Sequence, residues 1–211
     1  AFAWPAQFAE VLAAGGFDCV IGNPPYIRQE WLGPCKTAFQ REFRCYAGTA
    51  DAYLYFIERG LQLLRPGGRL GFITSGTFAN ANFAAPFRAW LPTVARYQRL
   101  VNFGENQPFA DAEMVFPTIS ILEKTPAAAS GTSTFRAYFM RGAIPDSIAD
   151  AVVADGIDCD ASALARPEWR FQPAAVTDLF DRIMACGRPL DEVVGGRIYY
   201  GVKTGLNEAF V

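Results

Sequence analysis

Phe17-Asp18-Cys19-Val20-Ile21-Gly22-Asn23-Pro24-Pro25-Tyr26 is the stretch whose reading decides the fold. Residues 17–21 read as a short buried strand, apolar on both faces, of the kind that parallel sheets use. An Asn-Pro-Pro-Tyr turn closes its carboxyl end. Upstream, residues 5–14 read as a short helix with Pro5 in its first turn, stopped by Gly15-Gly16. Downstream, residues 27–50 look like loop with short helical pieces. Asp51 to Leu64 reads as a strong helix, because Leu54, Ile57, Leu61 and Leu64 share one stripe. Pro66-Gly67-Gly68 ends it, and Arg69 to Thr74 is the next strand. Ala84 to Leu91 reads as helix, and Leu100–Phe103 and Phe116–Glu123 as two more strands. This alternation is that of an open α/β sheet, in which ligands bind outside the carboxyl ends of the strands. Thr125 to Thr134, rich in Ala, Ser and Thr, reads as a linker. Residues 135–190 mix strand and helix signals, and Val193 to Val211 sets glycines among β-formers.

The turn carries a chemistry. An exocyclic amine such as adenine N6 is a poor nucleophile, because its lone pair is delocalised into the ring. Two acceptors placed against its two N–H groups favour a more pyramidal nitrogen. The Asn23 side-chain oxygen supplies one acceptor and the Pro24 carbonyl the other. Pro24 and Pro25 lock the backbone, so both acceptors are placed before the amine arrives. Tyr26 offers a flat face for an extruded base. No strong base is required, which suits a chain with no histidine.

Composition excludes several other classes. The chain has 211 residues, 51% hydrophobic and 19% charged, a globular rather than a disordered composition. No apolar run reaches the roughly 18–20 residues of a membrane span, and the amino-terminal residues do not read as a signal peptide. The five cysteines are scattered with no Cys-x-x-Cys pair, which argues against a zinc site or disulfide framework and for reduced thiols in the cytoplasm. The absence of histidine removes His-based triads and His metal sites. The net charge of −2 gives no electrostatic support to nucleic-acid binding, so any basic surface lies mostly elsewhere.

Several segments together resemble the gamma-class N6-adenine DNA methyltransferases, in particular the large fused type IIG restriction–modification and phage-exclusion methylases. Trp4 to Val11 before Gly16-Phe17-Asp18 looks like their lead-in to the catalytic strand. Tyr46-Ala47-Gly48-Thr49-Ala50-Asp51-Ala52-Tyr53 with Phe56-Ile57-Glu58 looks like their following helix. Leu64-Arg65-Pro66-Gly67-Gly68-Arg69-Leu70-Gly71-Phe72-Ile73 looks like their next helix-to-strand turn. Val101-Asn102-Phe103-Gly104 and Pro108-Phe109 through Lys124 look like their last two strands. Gly201 to Val211 looks like the opening of their target-recognition region. The resemblance implies the carboxyl-terminal half of a Rossmann-like S-adenosylmethionine-dependent methyltransferase sheet over residues 1–124. It implies a mixed α+β extension over 125–190 and the start of a target-recognition region over 191–211. It implies Asn23, Pro24, Pro25 and Tyr26 as the catalytic motif, and Phe109 as the aromatic on the other face of the flipped base. Phe116 is a second candidate for that place, or strand core. Asp51 reads as a helix N-cap, and Thr74 and Ser75 as residues lining the pocket or closing the strand. S-adenosylmethionine is the implied methyl donor and double-stranded DNA the implied partner.

One part of the family's pattern is not found. The glycine-rich turn that holds S-adenosylmethionine follows a strand and precedes the Asn-Pro-Pro-Tyr turn. Gly15-Gly16 precedes a strand, Gly67-Gly68 joins a helix to a strand, and the later glycines lie among β-formers. The cofactor-binding residues are therefore unassigned, and the chain reads as a fragment of a larger enzyme. The strand at 17–21 is then expected to present an unpaired apolar edge. Two other readings share the turn. A protein glutamine N-methyltransferase would act on another planar amine, and a degenerate, non-catalytic DNA-binding scaffold would keep the fold alone. Cytosine C5 methylation through Pro34-Cys35 needs a thiolate at a strand end. Cys35 lies instead in a loop and reads as a half-buried thiol.

Overall fold

The structure, a computed structural model, describes residues 2–109, 116–125, 134–171 and 174–196. The expected first helix is broken in two, α1 (Trp4–Gln7) and α2 (Ala9–Ala13). Phe8 leaves helical geometry between them, and its ring stacks on Trp4 and meets Phe17 edge-on at 5.2 Å. Gly15 and Gly16 then turn the chain at φ +101° and +120°. A Cβ at Gly16 would lie 2.5 Å from the Leu63 carbonyl oxygen and 2.7 Å from the Arg65 nitrogen, so only glycine fits that crossing.

Strand β1 (Phe17–Gly22) pairs in parallel with β2 (Leu64–Ser75), from Cys19 opposite Arg69 to Gly22 opposite Phe72. Between them run α3 (Lys36–Glu42) and α4 (Ala52–Leu63). The predicted stripe is buried: Leu54, Ile57 and Leu61 of α4, and Leu64, which opens β2 rather than ending the helix, are at most 2% exposed, and Tyr53, Tyr55 and Leu63 are buried as well. Glu58 is buried on the same helix. Its carboxylate accepts from the backbone N–H groups of Arg44 and Cys45 and from Gln62, which fixes the preceding loop to the helix. Lys124 closes the far end by donating to the Gln62 and Leu64 carbonyls.

The remaining strands are β3 (Ala95–Asn102), β4 (Pro117–Lys124), β5 (Thr134–Phe139) and β6 (Ile157–Asp160), in the sheet order β1-β2-β4-β3-β5-β6. The sheet is mixed. β4 inserts between β2 and β3 and runs antiparallel to both, whereas β5 runs parallel to β3. The carboxyl ends of β1, β2, β3 and β5 therefore share one edge with the start of β4.

Two expectations are corrected here. Strand β1 is not buried: it lies at the edge of the sheet and Ile21 is 81% exposed. Ile21 faces space that no described element fills, whereas Phe17 and Val20 pack against the core, and no described strand pairs with the free side of β1, as expected. The composition break near residue 125 is not a break in the sheet. Residues 126–133 lie outside the described ones, but β5 rejoins β3 and puts Phe135 and Ala137 into the same core as Tyr97. Residues up to Phe171 belong to that core. Trp169 packs against Phe78, Phe87 and Tyr97, and Arg88 of α5 (Ala85–Trp90) donates to the carbonyls of Phe78, Ala81 and Pro167.

One face of the sheet is covered by α4, α5 and the 161–171 segment. The other is covered over β3 and β5, where α6 (Ile148–Asp155) brings Val152 onto Val101, Phe103 and Met140. Over β1, β2 and β4 that second face holds an open apolar depression of about 370 Å³, lined by Ile21, Gly71, Ile73, Ile119 and Ile121 among others. The chain divides into a unit over Ala1–Pro173 and a second over Ala174–Val211. The second holds α7 (Ala174–Cys186) and α8 (Leu190–Val193). Residues 197–211, most of the expected start of a recognition region, lie outside the described ones.

Candidate functional site

The turn Asn23-Pro24-Pro25-Tyr26 leaves β1 at the shared carboxyl edge of the sheet. Asn23 and Pro25 are exposed, Pro24 is buried, and Tyr26 is 37% exposed. The turn is fastened on its downstream side. Ile27 donates its N–H to the Pro25 carbonyl at 3.0 Å, and the Ile27 carbonyl accepts from Ala52 N–H at 3.1 Å. Gln29 N–H donates to Asp51 Oδ1 at 3.1 Å. Helix α4 thus begins against the Asn-Pro-Pro-Tyr turn, and its packing ties that turn to the core.

Within the turn the Tyr26 hydroxyl donates to Asn23 Oδ1. Burial pushes the Tyr26 phenol above its ordinary value, and the bond to Asn23 opposes that shift. The phenol is therefore a neutral donor near pH 7 and holds the Asn23 amide in one orientation. The oxygen retains a second lone pair. Among the described residues nothing donates to the Pro24 carbonyl. The site thus offers one oxygen in use and one open, on a backbone set by two prolines.

Asp51 sits at the N-cap position of α4, but its side chain makes no capping bond. It accepts from Gln29 instead, and burial raises its carboxyl above the ordinary carboxylate value. Its role is to join the 27–35 segment to the helix start, which the sequence reading as a simple cap did not contain.

Phe109 is 36% exposed in the loop beyond β3, which is held by Asn106 donating to the carbonyls of Phe103 and Gly142. Residues 110–115, which follow it, lie outside the described ones. Phe116 is not strand core. It is 51% exposed just before β4, at φ +49°, a conformation that bulky residues rarely adopt. Its carbonyl accepts from Gly76 N–H and Thr118 Oγ1, which holds the backbone there. β4 is nearer β1 in the sheet than β3 is, so Phe116 starts about 10 Å from β1 and the root of the Phe109 loop about 14 Å.

Of the two polar residues at the end of β2, Thr74 does not line the edge. It is fully buried, and its hydroxyl has no partner among the described residues. Ser75 accepts from Thr77 N–H at 3.3 Å and caps the 3-10 turn over Gly76–Ala79. Cys35, expected half-buried, is exposed in the 3-10 segment Gln29–Cys35, away from any strand end. No cluster of His, Cys, Asp and Glu suited to a metal occurs among the described residues, and no helix there is long and apolar enough to cross a membrane.

Residues 1–109 match the Eco57I restriction-modification methylase family. The chain is 34% identical over 123 residues to the type II methyltransferase M.XhoI of Xanthomonas vasicola, an alignment covering 58% of this chain and 22% of that protein. It is 28% identical over 219 residues to the type II methyltransferase M.PaeR7I of Pseudomonas aeruginosa, covering 99% of this chain and 38% of that protein. The chain thus spans well under half the length of these relatives. Among solved structures, a protein described as a candidate class I S-adenosylmethionine-dependent methyltransferase from Listeria monocytogenes matches with a TM-score of 0.51 at 18% identity. That match covers 66% of this chain and 42% of that one. The likeness is one of fold, a Rossmann-like methyltransferase sheet.

Proposed function

We propose that this chain, which belongs to the Eco57I restriction-modification methylase family, is the catalytic portion of a DNA adenine N6-methyltransferase acting in the cytoplasm within a restriction–modification or phage-defence enzyme. The observation that carries the reading is the Asn23-Pro24-Pro25-Tyr26 turn, fastened to α4 and open at the carboxyl edge of the sheet. A target adenine swung out of its duplex lays its ring on Tyr26. Its N6 donates one N–H to Asn23 Oδ1, beside or in place of the Tyr26 hydroxyl, and the other to the Pro24 carbonyl. Those two bonds turn the nitrogen lone pair out of conjugation. Phe109 closes the second face of the base, with Phe116 the alternative at the same edge. S-adenosylmethionine, when bound, supplies the electrophilic methyl group. As the new C–N bond forms, the bond between the methyl group and the donor's sulfur breaks with its electron pair left on sulfur, and N6 sheds a proton along one of its hydrogen bonds and on to water, so no histidine is required. Most of the rate comes from holding the amine in line.

The described residues include no strand–Gly-x-Gly–helix turn, and β1 has no neighbour on its free side. They form the amine half of the site, and the nucleoside of the donor is held by residues other than these. The test uses the complete polypeptide that carries this chain, at the length of its relatives. It is incubated with labelled S-adenosylmethionine and mixed-sequence DNA, and the DNA is digested to nucleosides. Label in N6-methyladenosine is the expected result. Label in another nucleoside, or in protein amide with none in DNA, rejects the reading.

A further inference from the structure

We infer that Trp31 is a base-stacking residue that enters the target duplex beside the extruded nucleotide. This rests on the DNA reading above and goes beyond the turn itself. Trp31 is 81% exposed, whereas Trp169 is buried and Trp4 and Trp90 are half-buried. It makes no ring contact with any described residue. A single exposed ring is ordinary on a protein surface; what distinguishes this one is its place in the segment that follows the Asn-Pro-Pro-Tyr turn.

Its position is defined. Trp31 follows the catalytic turn in the 3-10 segment Gln29–Cys35, which is held at three points. Gln29 N–H donates to Asp51, Lys36 Nζ donates to the Gln29 side chain at 2.8 Å, and the adjacent Leu32 is buried. Trp31 N–H donates to the Arg28 carbonyl at 3.1 Å. Helix α4 runs back toward the start of β2, so its first residue, Asp51's neighbour, lies at the carboxyl edge of β1. The segment that carries Trp31 is therefore anchored to the helix start beside the turn that holds Tyr26. The segment carries two cations: Arg28, whose carbonyl accepts from Trp31 N–H and which is exposed with no ion pair among the described residues, and Lys36, anchored through Gln29; both face the carboxylate of Glu30, and Arg28 also faces Asp51. Extruding a base leaves a gap between its neighbours, and an indole restores the stacking lost there.

The test uses the complete polypeptide and a duplex holding its methylated site, compared with the same duplex lacking the base opposite the target adenine. Trp31→Ala should raise KM on the paired duplex by roughly ten- to a hundredfold with kcat little changed. The defect should shrink on the gapped duplex, whose stack is already open, and Trp31→Phe should recover most of the loss. Unchanged KM, or an equal loss on both duplexes, overturns the inference while leaving the methyltransferase reading intact. So does a clear fall in melting temperature for Trp31→Ala, which would mean the ring is packed within the protein. If the unaltered protein methylates no DNA, both readings fail.

Discussion

Asn23 is held by its neighbour in the turn: its carbonyl oxygen accepts the Tyr26 hydroxyl, and its side chain is otherwise open to solvent. Removing the amide should therefore disturb chemistry far more than folding. In the complete polypeptide, Asn23→Ala is expected to lower methyl transfer by at least about 10²-fold while DNA binding and melting temperature stay close to those of the unaltered protein. Parallel turnover and DNA-affinity measurements check this, and retained turnover rejects the catalytic role. At this scale the sequence was most informative where a residue acts through its own backbone. The prolines and the strand end they close are local, so the turn was legible directly. Asp51 does stand at the N-cap position, as read, but its side-chain partner, Gln29, was not legible because it lies across a loop that carries no periodicity. Phe116 was read as possible strand core because its residue type suits a strand. Its positive φ follows from the bonds its carbonyl makes to Gly76 and Thr118.

Among the elements, α4 was the clearest from the sequence, since a 3.6-residue stripe of leucine and isoleucine has one way to be buried. Strand β1 was legible in type but not in exposure. A run of apolar residues signals a strand, and it takes the neighbouring strand to bury it. The junction of α2, β1 and α4 depends on Gly16. Gly16→Ala combines φ +120° with a Cβ pressed onto the Leu63 carbonyl and Arg65 nitrogen. It is expected to destabilise the fold by about 1–3 kcal/mol, read as a shift in the denaturant midpoint. An unchanged midpoint would mean that the turn relaxes at little cost. The second helix of the amino-terminal pair depends on packing of Phe8 against Trp4 and Phe17, which residue spacing alone does not reveal.

For the molecule as a whole, the covered and uncovered halves of the sheet set two expectations. Among the described residues no Gly-x-Gly turn follows a strand, and the free edge of β1 lies beside an open apolar face. The 211-residue chain by itself is accordingly expected to bind S-adenosylmethionine poorly, and calorimetric titration showing clean one-to-one binding near micromolar would refute this. The covered face sets a pH limit. Burial raises the phenols of Tyr53, Tyr55 and Tyr97 above the ordinary 10.0, Tyr55 to about 12. A phenol raised in the fold keeps its proton longer there than in the unfolded chain. Stability from these groups is therefore full below pH 10 and is lost as the pH climbs from about 10 through about 12. Denaturant melts across that range should show the fall, and Tyr97→Phe should flatten it. A flat profile for the unaltered protein would contradict the burial of all three.

The chain alone determined what depends on short range: the strand-to-turn geometry at Asn23, the amphipathic stripe of α4, the breaks at glycine pairs, and the absence of histidine chemistry. Tertiary structure decided what depends on partners far apart in sequence. It set the antiparallel insertion of β4 and the return of β5 to the same sheet across the Ala-, Ser- and Thr-rich stretch. It also decided the inward burial of Thr74 and the exposure of Ile21 and Trp31. The physical reason is that backbone propensity and periodicity act within a few residues, whereas burial is settled only when distant segments compete for the same apolar surface.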